Sequence, residues 1–270
     1  MKSRMLYGFD DKVYMESRIN ETVINMVDSE KSLILSTGVN GLDEMLSGGF
    51  PRGKTVLLCG GPGTGKTIFC LQYMMSAINR GEPCVYVSLE ESLGDKIENA
   101  LSFNWDIEKA VSERKLEILD IRMIPQSKGY AEPFDTRRGK LELGILKEIE
   151  NLVEEISAEH VIIDPLTSIT IHESRTGHKR FLISQIFDTI KRRNCTGVLT
   201  TEGLPTATNF SMELFLSDGV IFLEKDIQEF KLIKTIRIDK MRGMTFDDQP
   251  KRYLITNRGF AVFNKEAVIT

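Results

Sequence analysis

The stretch Gly60–Thr67, GGPGTGKT, concentrates residue types that handle phosphate. Gly60, Gly61, Gly63 and Gly65 carry no side chain, which lets backbone N–H groups turn inward toward an anion. Pro62 and Thr64 lie between them, Lys66 and Thr67 follow the last glycine, and Ile68 opens a helical pattern. The spacing Gly60-x4-Gly65-Lys66-Thr67 is that of a phosphate-binding loop, and its required context is present, with an apolar run before it and a helix after it. The start of that helix adds its positive end to the same anion. Gly60 through Ile68 are therefore the candidate nucleotide contacts. Lys66 is placed to reach the β- and γ-phosphates, and the Thr67 hydroxyl to ligate Mg²⁺. ATP and Mg²⁺ are the cofactors this implies.

Such a loop needs a carboxylate that holds the metal through water. Asp164 closes the apolar run HVIID and has the right preamble. Hydrolysis also needs a residue that orients or deprotonates water. Glu90 and Glu91, in YVSLEES, end the second apolar run and are expected beside the loop. Strand alternation turns one of two neighbours toward a given face, and Glu90 is the first choice. Lys66, Glu90 and Glu91 make up the catalytic set. Further along, KTIRIDKMRG places Lys240 and Arg242 on one face of a late strand. Their distance in sequence from the loop suits contact with a neighbouring subunit's nucleotide, where an arginine stabilises transition-state charge. A basic edge strand that discourages aggregation explains the same two residues equally well.

These residues need a scaffold. Short apolar runs at 55–60, 84–90, 115–121, 160–164 and 197–201 alternate with helical patterns at 68–80, 92–102, 141–157 and 181–193. Gly81 stops the first helix, and Ser92 caps the second. Continuous β-branched strands mean burial on both faces, hence a mostly parallel sheet flanked by helices, an α/β architecture. After Asp218 the runs at 220–224, 230–238 and 252–256 alternate, and Asn257-Arg258-Gly259 reads as a turn into 260–263. An antiparallel C-terminal extension on a parallel core follows. Residues 125–140, with Gly, Pro and charges, read as a loop. Residues 1–35 form a mixed leader with the spacing of a short amphipathic helix, and 36–270 a single domain.

Bulk properties bound the function. The chain has 270 residues and a formal net charge of −4, so bulk charge does not mark a basic nucleic-acid binder. Cys59, Cys70, Cys84 and Cys195 form no CxxC pair, and most lie in apolar stretches, as expected in a reducing, cytoplasmic compartment. The start of the chain is too charged for a signal peptide, and no run approaches the ~18 apolar residues of a membrane span.

The stretch STGVNGLDEMLSGGFPRGKTVLLCGGPGTGKT resembles the entry region of RecA-superfamily ATPases, above all the KaiC branch with its bacterial and archaeal single-domain relatives. SLEES, VIIDPLTS, TTEG with FLSDGVIFLE, and KMRG agree in order, so the resemblance covers about 36–263. It implies a RecA-like P-loop fold and hexameric rings with ATP between subunits. Motif by motif, it makes Gly60–Thr67 the nucleotide loop and Glu90 and Glu91 the catalytic acids. Asp164 becomes the Mg²⁺ residue, and Lys240 and Arg242 touch the neighbour's γ-phosphate. The departures matter too. The clock protein carries two such domains and this chain one. Aligned on Ser217-Asp218, the pair that the clock protein's second domain phosphorylates falls on Leu214-Phe215, which have no hydroxyl. Phe246 stands near where the family has a histidine after KMRG, which leaves base recognition open.

His160, His172 and His178 share no metal-ligand spacing. HESRTGHKR, read as a solvated loop, and the segment 203–210 are the places where nucleic acid or a partner protein could touch a ring's centre. Trp105 is expected to pack between helices. The reading is a Mg²⁺-dependent ATPase that assembles as a homo-oligomeric ring for signalling or regulation. Two rivals stand beside it: a recombinase-like module that uses ATP to bind single-stranded DNA, and a motor-associated ATP sensor with little turnover.

Overall fold

In a computed structural model the apolar runs become strands of one large sheet. The structure describes residues 33–121, 140–170, 176–203 and 212–267. A short antiparallel pair, β1 (Ile34–Leu35) and β2 (Phe50–Pro51), precedes it. The main sheet contains β3 (Thr55–Gly60), β4 (Cys84–Ser88), β5 (Leu116–Asp120), β6 (His160–Asp164), β7 (Thr196–Glu202), β8 (Gly219–Gln228), β9 (Lys231–Met241), β10 (Lys251–Thr256) and β11 (Gly259–Ala267). Their order across the sheet is β11-β10-β9-β8-β3-β7-β6-β4-β5. The stretch from β8 to β5 is parallel throughout, and β8 to β11 run antiparallel as a C-terminal extension.

Side-chain alternation sorts each central strand between two cores. Val56, Leu58, Tyr86 and Ile162 face the helix Lys66–Asn79, with Phe69, Tyr73 and Met74 against them and Tyr253 and Phe260 closing the layer. Leu57, Val87, Val161 and Ile163 face the other way, onto Ile149 and Val153 of helix Lys140–Ile156 and Ile183, Ile186 and Ile190 of helix Thr176–Arg192. Burying each such aliphatic side chain contributes about 1.5–3 kcal/mol. With both faces covered, the strands need no polar alternation, which is why they read as unbroken apolar runs.

Four details depart from the sequence reading. The strand that leads to Glu90 and Glu91 ends before them, at Ser88, and does not adjoin the loop strand, because β7 and β6 lie between β3 and β4. Helix Thr176–Arg192 begins five residues earlier than its apolar pattern, so Thr176–Arg180 of HESRTGHKR is helical; charged first-turn residues hide a helix start from an apolar-spacing rule. Strand β9 begins at Lys231, and Glu229 and Phe230, both with positive φ, form the two-residue turn before it, the conformation that suits a tight hairpin. Lys140 opens a helix instead of closing the preceding loop. The leader up to residue 32, most of the 125–140 loop, His172 and the segment 204–210 lie outside the described residues. Ser92 does cap its helix, in a reciprocal pair with Asp95. Trp105 stacks on Phe103 with ring centroids 4.7 Å apart and packs against the core formed with helix Lys66–Asn79.

His160 opens β6 in full burial. The Tyr73 hydroxyl lies 2.8 Å from Nδ1, and Glu82 Oε2 lies 3.0 Å from Nε2. A neutral ring with its proton on Nε2 satisfies both contacts. Burial lowers the His160 pKa and outweighs the raising effect of Glu82. The native ring therefore resists a proton that the unfolded chain accepts below about pH 6.5. Its stabilising contribution is complete above that pH and is lost as pH falls through the lowered native value. Urea unfolding at pH 7.5 and 5.5 is expected to give a lower midpoint at pH 5.5, with a smaller drop in His160→Gln. An equal drop in both proteins contradicts the assignment.

Candidate functional site

The loop leaves β3 at Gly60 and re-enters regular structure at Lys66. Its turn requires glycine at two positions. Gly63 has φ +72° and Gly65 has φ +95°, and a Cβ on Gly65 would sit 2.3 Å from Ile255 Cδ1. The extension strands thus press the loop from outside. Tyr253 donates its hydroxyl to the Thr64 carbonyl at 2.6 Å, and Lys225 Nζ donates to the Pro62 carbonyl at 2.7 Å. Lys66 Nζ donates to the carbonyls of Gly60 and Gly61 at 2.8 and 3.2 Å, so its ammonium stands over the loop.

Asp164 ends β6 at 4% exposure. Its Oδ2 accepts from Thr67 Oγ1 at 2.9 Å and from the Tyr86 hydroxyl at 2.8 Å, and its Oδ1 accepts from Thr200 Oγ1 at 2.6 Å. Lys96 Nζ stands 3.4 Å from Oδ2. Burial works against the charged carboxylate. The Lys96 charge and the bonds from Thr200, Tyr86 and Thr67 outweigh it and hold the carboxyl below its usual range. The same burial, with Asp164 alongside, pushes the Tyr86 phenol well up, so Tyr86 remains a donor.

A cleft joins these parts, with Gly63, Lys66 and Thr67 on one wall and Glu90, Glu91 and Asp164 on another. Both glutamates lie beyond the end of β4, so strand alternation does not choose between them. Each is tethered separately. Ser168 donates to Glu90 Oε1, and Lys96 Nζ lies 3.3 Å from Glu91 Oε2. A hydroxyl beside a carboxylate is an oxygen set of the kind Mg²⁺ takes. Among the described residues no group of three or more His, Cys, Asp or Glu could hold a metal ion. All four cysteines are free and buried, and burial, its largest cause, pushes the Cys59 thiol up to about 12.

Lys240 and Arg242 lie elsewhere. Lys240 Nζ donates to the carbonyls of Leu214 and Ser217 at 2.9 and 2.5 Å, and Arg242 reaches the Phe215 carbonyl and Asp218. Burial, then the neighbouring Arg242, lowers the Lys240 pKa. Val220, opposite Lys240, pairs with Leu57, and Asp218 bonds to Thr55, so the basic pair sits at the end where β3 begins. The loop sits where β3 ends, and the Thr55–Gly60 span is roughly 17 Å at strand rise.

Sequence spacing missed Lys96, Tyr86 and Thr200. Lys96 did leave a signal. It falls in one helical stripe with Ile97 and Ala100, the inner face of its helix, where a lysine is out of place.

A phosphate loop between a central parallel strand and its helix, with an acid on a nearby strand and an antiparallel tail, defines a P-loop ATPase domain of RecA-like fold. The family model described as "ATPase: KaiC" matches residues 35–267, and the chain belongs to that family. It is 32% identical over 232 residues to the circadian clock oscillator protein KaiC of Parathermosynechococcus lividus, covering 84% of this chain and 42% of that protein. The KaiC of Picosynechococcus sp. is 33% identical over 234 residues, covering 85% and 44%. The chain thus spans less than half the length of these relatives. The crystal structure of a KaiC-like protein from Pyrococcus horikoshii OT3 superposes with a TM-score of 0.74 at 31% identity, covering 85% of this chain and 98% of that one. No helix among the described residues is long and apolar enough to cross a membrane.

The clamp on the loop is testable. Tyr253→Phe removes the donor to the Thr64 carbonyl and is expected to cost about 1 kcal/mol in urea unfolding. An unchanged midpoint contradicts that role.

Proposed function

We propose that the cleft binds ATP and hydrolyses it with Mg²⁺. The observation that carries this reading is convergence: residues from four separate stretches, Gly63–Thr67, Glu90–Glu91, Asp164 and Lys96, meet in one cleft. Loop N–H groups and Lys66 hold the triphosphate. Thr67 and Asp164 would hold Mg²⁺, and the ion would supply positive charge that offsets the charge of the phosphates. Glu90 or Glu91 takes a proton from water as the water oxygen bonds to the γ-phosphorus. The bond from that phosphorus to the bridging oxygen breaks, and ADP departs with its electron pair, leaving inorganic phosphate. The buried free cysteines suit a cytoplasmic setting.

The same proposal extends to a ring. Lys240 and Arg242 are too far from their own loop to share its nucleotide. Contact with a neighbouring subunit's γ-phosphate gives them a catalytic use, and a hexamer with ATP at each boundary fits that geometry. Nucleotide state would then set the ring's shape and serve signalling or regulation.

Calorimetric titration with MgATP is expected to show at least a ~100-fold loss of affinity in Lys66→Ala, and equal affinity refutes the site. Glu90→Gln with Glu91→Gln is expected to lower steady-state turnover by roughly 10²–10⁴ while ATP still binds. Turnover that does not change identifies a sensor instead of an ATPase. Light scattering with ATP is expected to give a multimer, and efficient hydrolysis by a persistent monomer overturns the neighbour's role.

A further inference from the structure

Lys96 is a charge hidden inside the cleft wall, at 1% exposure. A buried ammonium is strongly disfavoured unless it is paired. Its Nζ lies 3.4 Å from Asp164 Oδ2, 3.3 Å from Glu91 Oε2 and 3.3 Å from the Tyr86 hydroxyl, and 4.8 Å from the centre of the Tyr86 ring. The contacts join the acid that neighbours Thr67 to one of the two acids suited to activating water. Helix Leu93–Leu101, fixed by the Ser92 and Asp95 cap, carries the lysine to this point.

We propose that Lys96 is a built-in counter-charge and positioning residue of the nucleotide site: it offsets Asp164 and holds Glu91, so that ATP enters without a divalent cation having to arrive first. The proposal rests on the reading of the cleft as an ATP site. Metal-free ATP brings its whole negative charge toward Asp164 and Glu91. Without Lys96 those carboxylates repel it, and the loop N–H groups, Lys66 and Lys225 oppose them with no charge inside the acidic wall. With Lys96 in place, the chain itself cancels part of that repulsion. A bound divalent cation supplies the same compensation, so loss of Lys96 harms metal-free binding far more than metal-loaded binding. A lysine that only supports the fold affects both alike.

The test is calorimetric titration of the full chain with ATP, once with excess Mg²⁺ and once with EDTA, for the parent and for Lys96→Met, which keeps side-chain length without charge. The ratio of the two dissociation constants is the readout. Lys96→Met is expected to raise that ratio by about tenfold or more. A smaller change, with MgATP still bound by both proteins, overturns the role of Lys96 and leaves the ATP site standing. A parent that does not bind MgATP sinks the ATP site itself, and this inference with it. If the variant does not fold or binds too weakly to measure, the parent decides alone. Metal-free binding within about thirtyfold of MgATP supports the proposal, and a larger dependence on metal overturns it.

Discussion

The Asp164 carboxylate is the joint on which the site depends. Donors from four places meet it: Thr67 at the head of the loop helix, Tyr86 on β4, Thr200 on β7 and Lys96 on the helix after β4. A buried carboxylate with unfilled oxygens is costly, so these groups must assemble together or not at all. That requirement fixes the register of β4, β6 and β7 at their carboxyl ends. It also fixes the first turn of the loop helix, and through it the backbone that faces a phosphate.

The sheet order explains how an acid from a distant strand comes to serve the loop. Strands β7 and β6 separate β3 from β4, so Glu90 and Glu91 cannot reach the cleft as strand residues. They do so because the chain leaves β4 at Ser88 and bends before the Ser92 cap. Ser88 reinforces the bend by donating its hydroxyl to the Glu91 carbonyl at 2.7 Å. The acids that could activate water thus sit on a short, separately tethered connection, whereas Asp164 sits on rigid strand.

The loop, the parallel core and the antiparallel tail were legible because each has a local signature: glycine spacing, unbroken apolar runs and alternation after Asp218. Strand order was not, since nothing in the segment 84–90 records which strands will lie beside it. The start of helix Thr176–Arg192 was hidden because its first turn is polar on every side. The pairing of Lys96 with Asp164 and Glu91 was hidden as well, because a lysine in an apolar stripe marks burial but not its partner. Lys240 and Arg242 both reach the Phe215 carbonyl, but Arg242 falls just past the end of β9 at Met241, so the two do not share a strand face as their spacing suggested. Their place at the far end of β3 is a long-range fact that only pairing with β8 reveals.

The central claim is that the backbone between Gly60 and Ile68, braced on Asp164, receives the triphosphate. Hydrogen–deuterium exchange of the full chain, with and without Mg²⁺ and a non-hydrolysable ATP analogue, tests it most directly. The account predicts that the peptide spanning residues 60–68 gains the strongest protection when the analogue binds. Binding that leaves this peptide unchanged and protects another segment contradicts it.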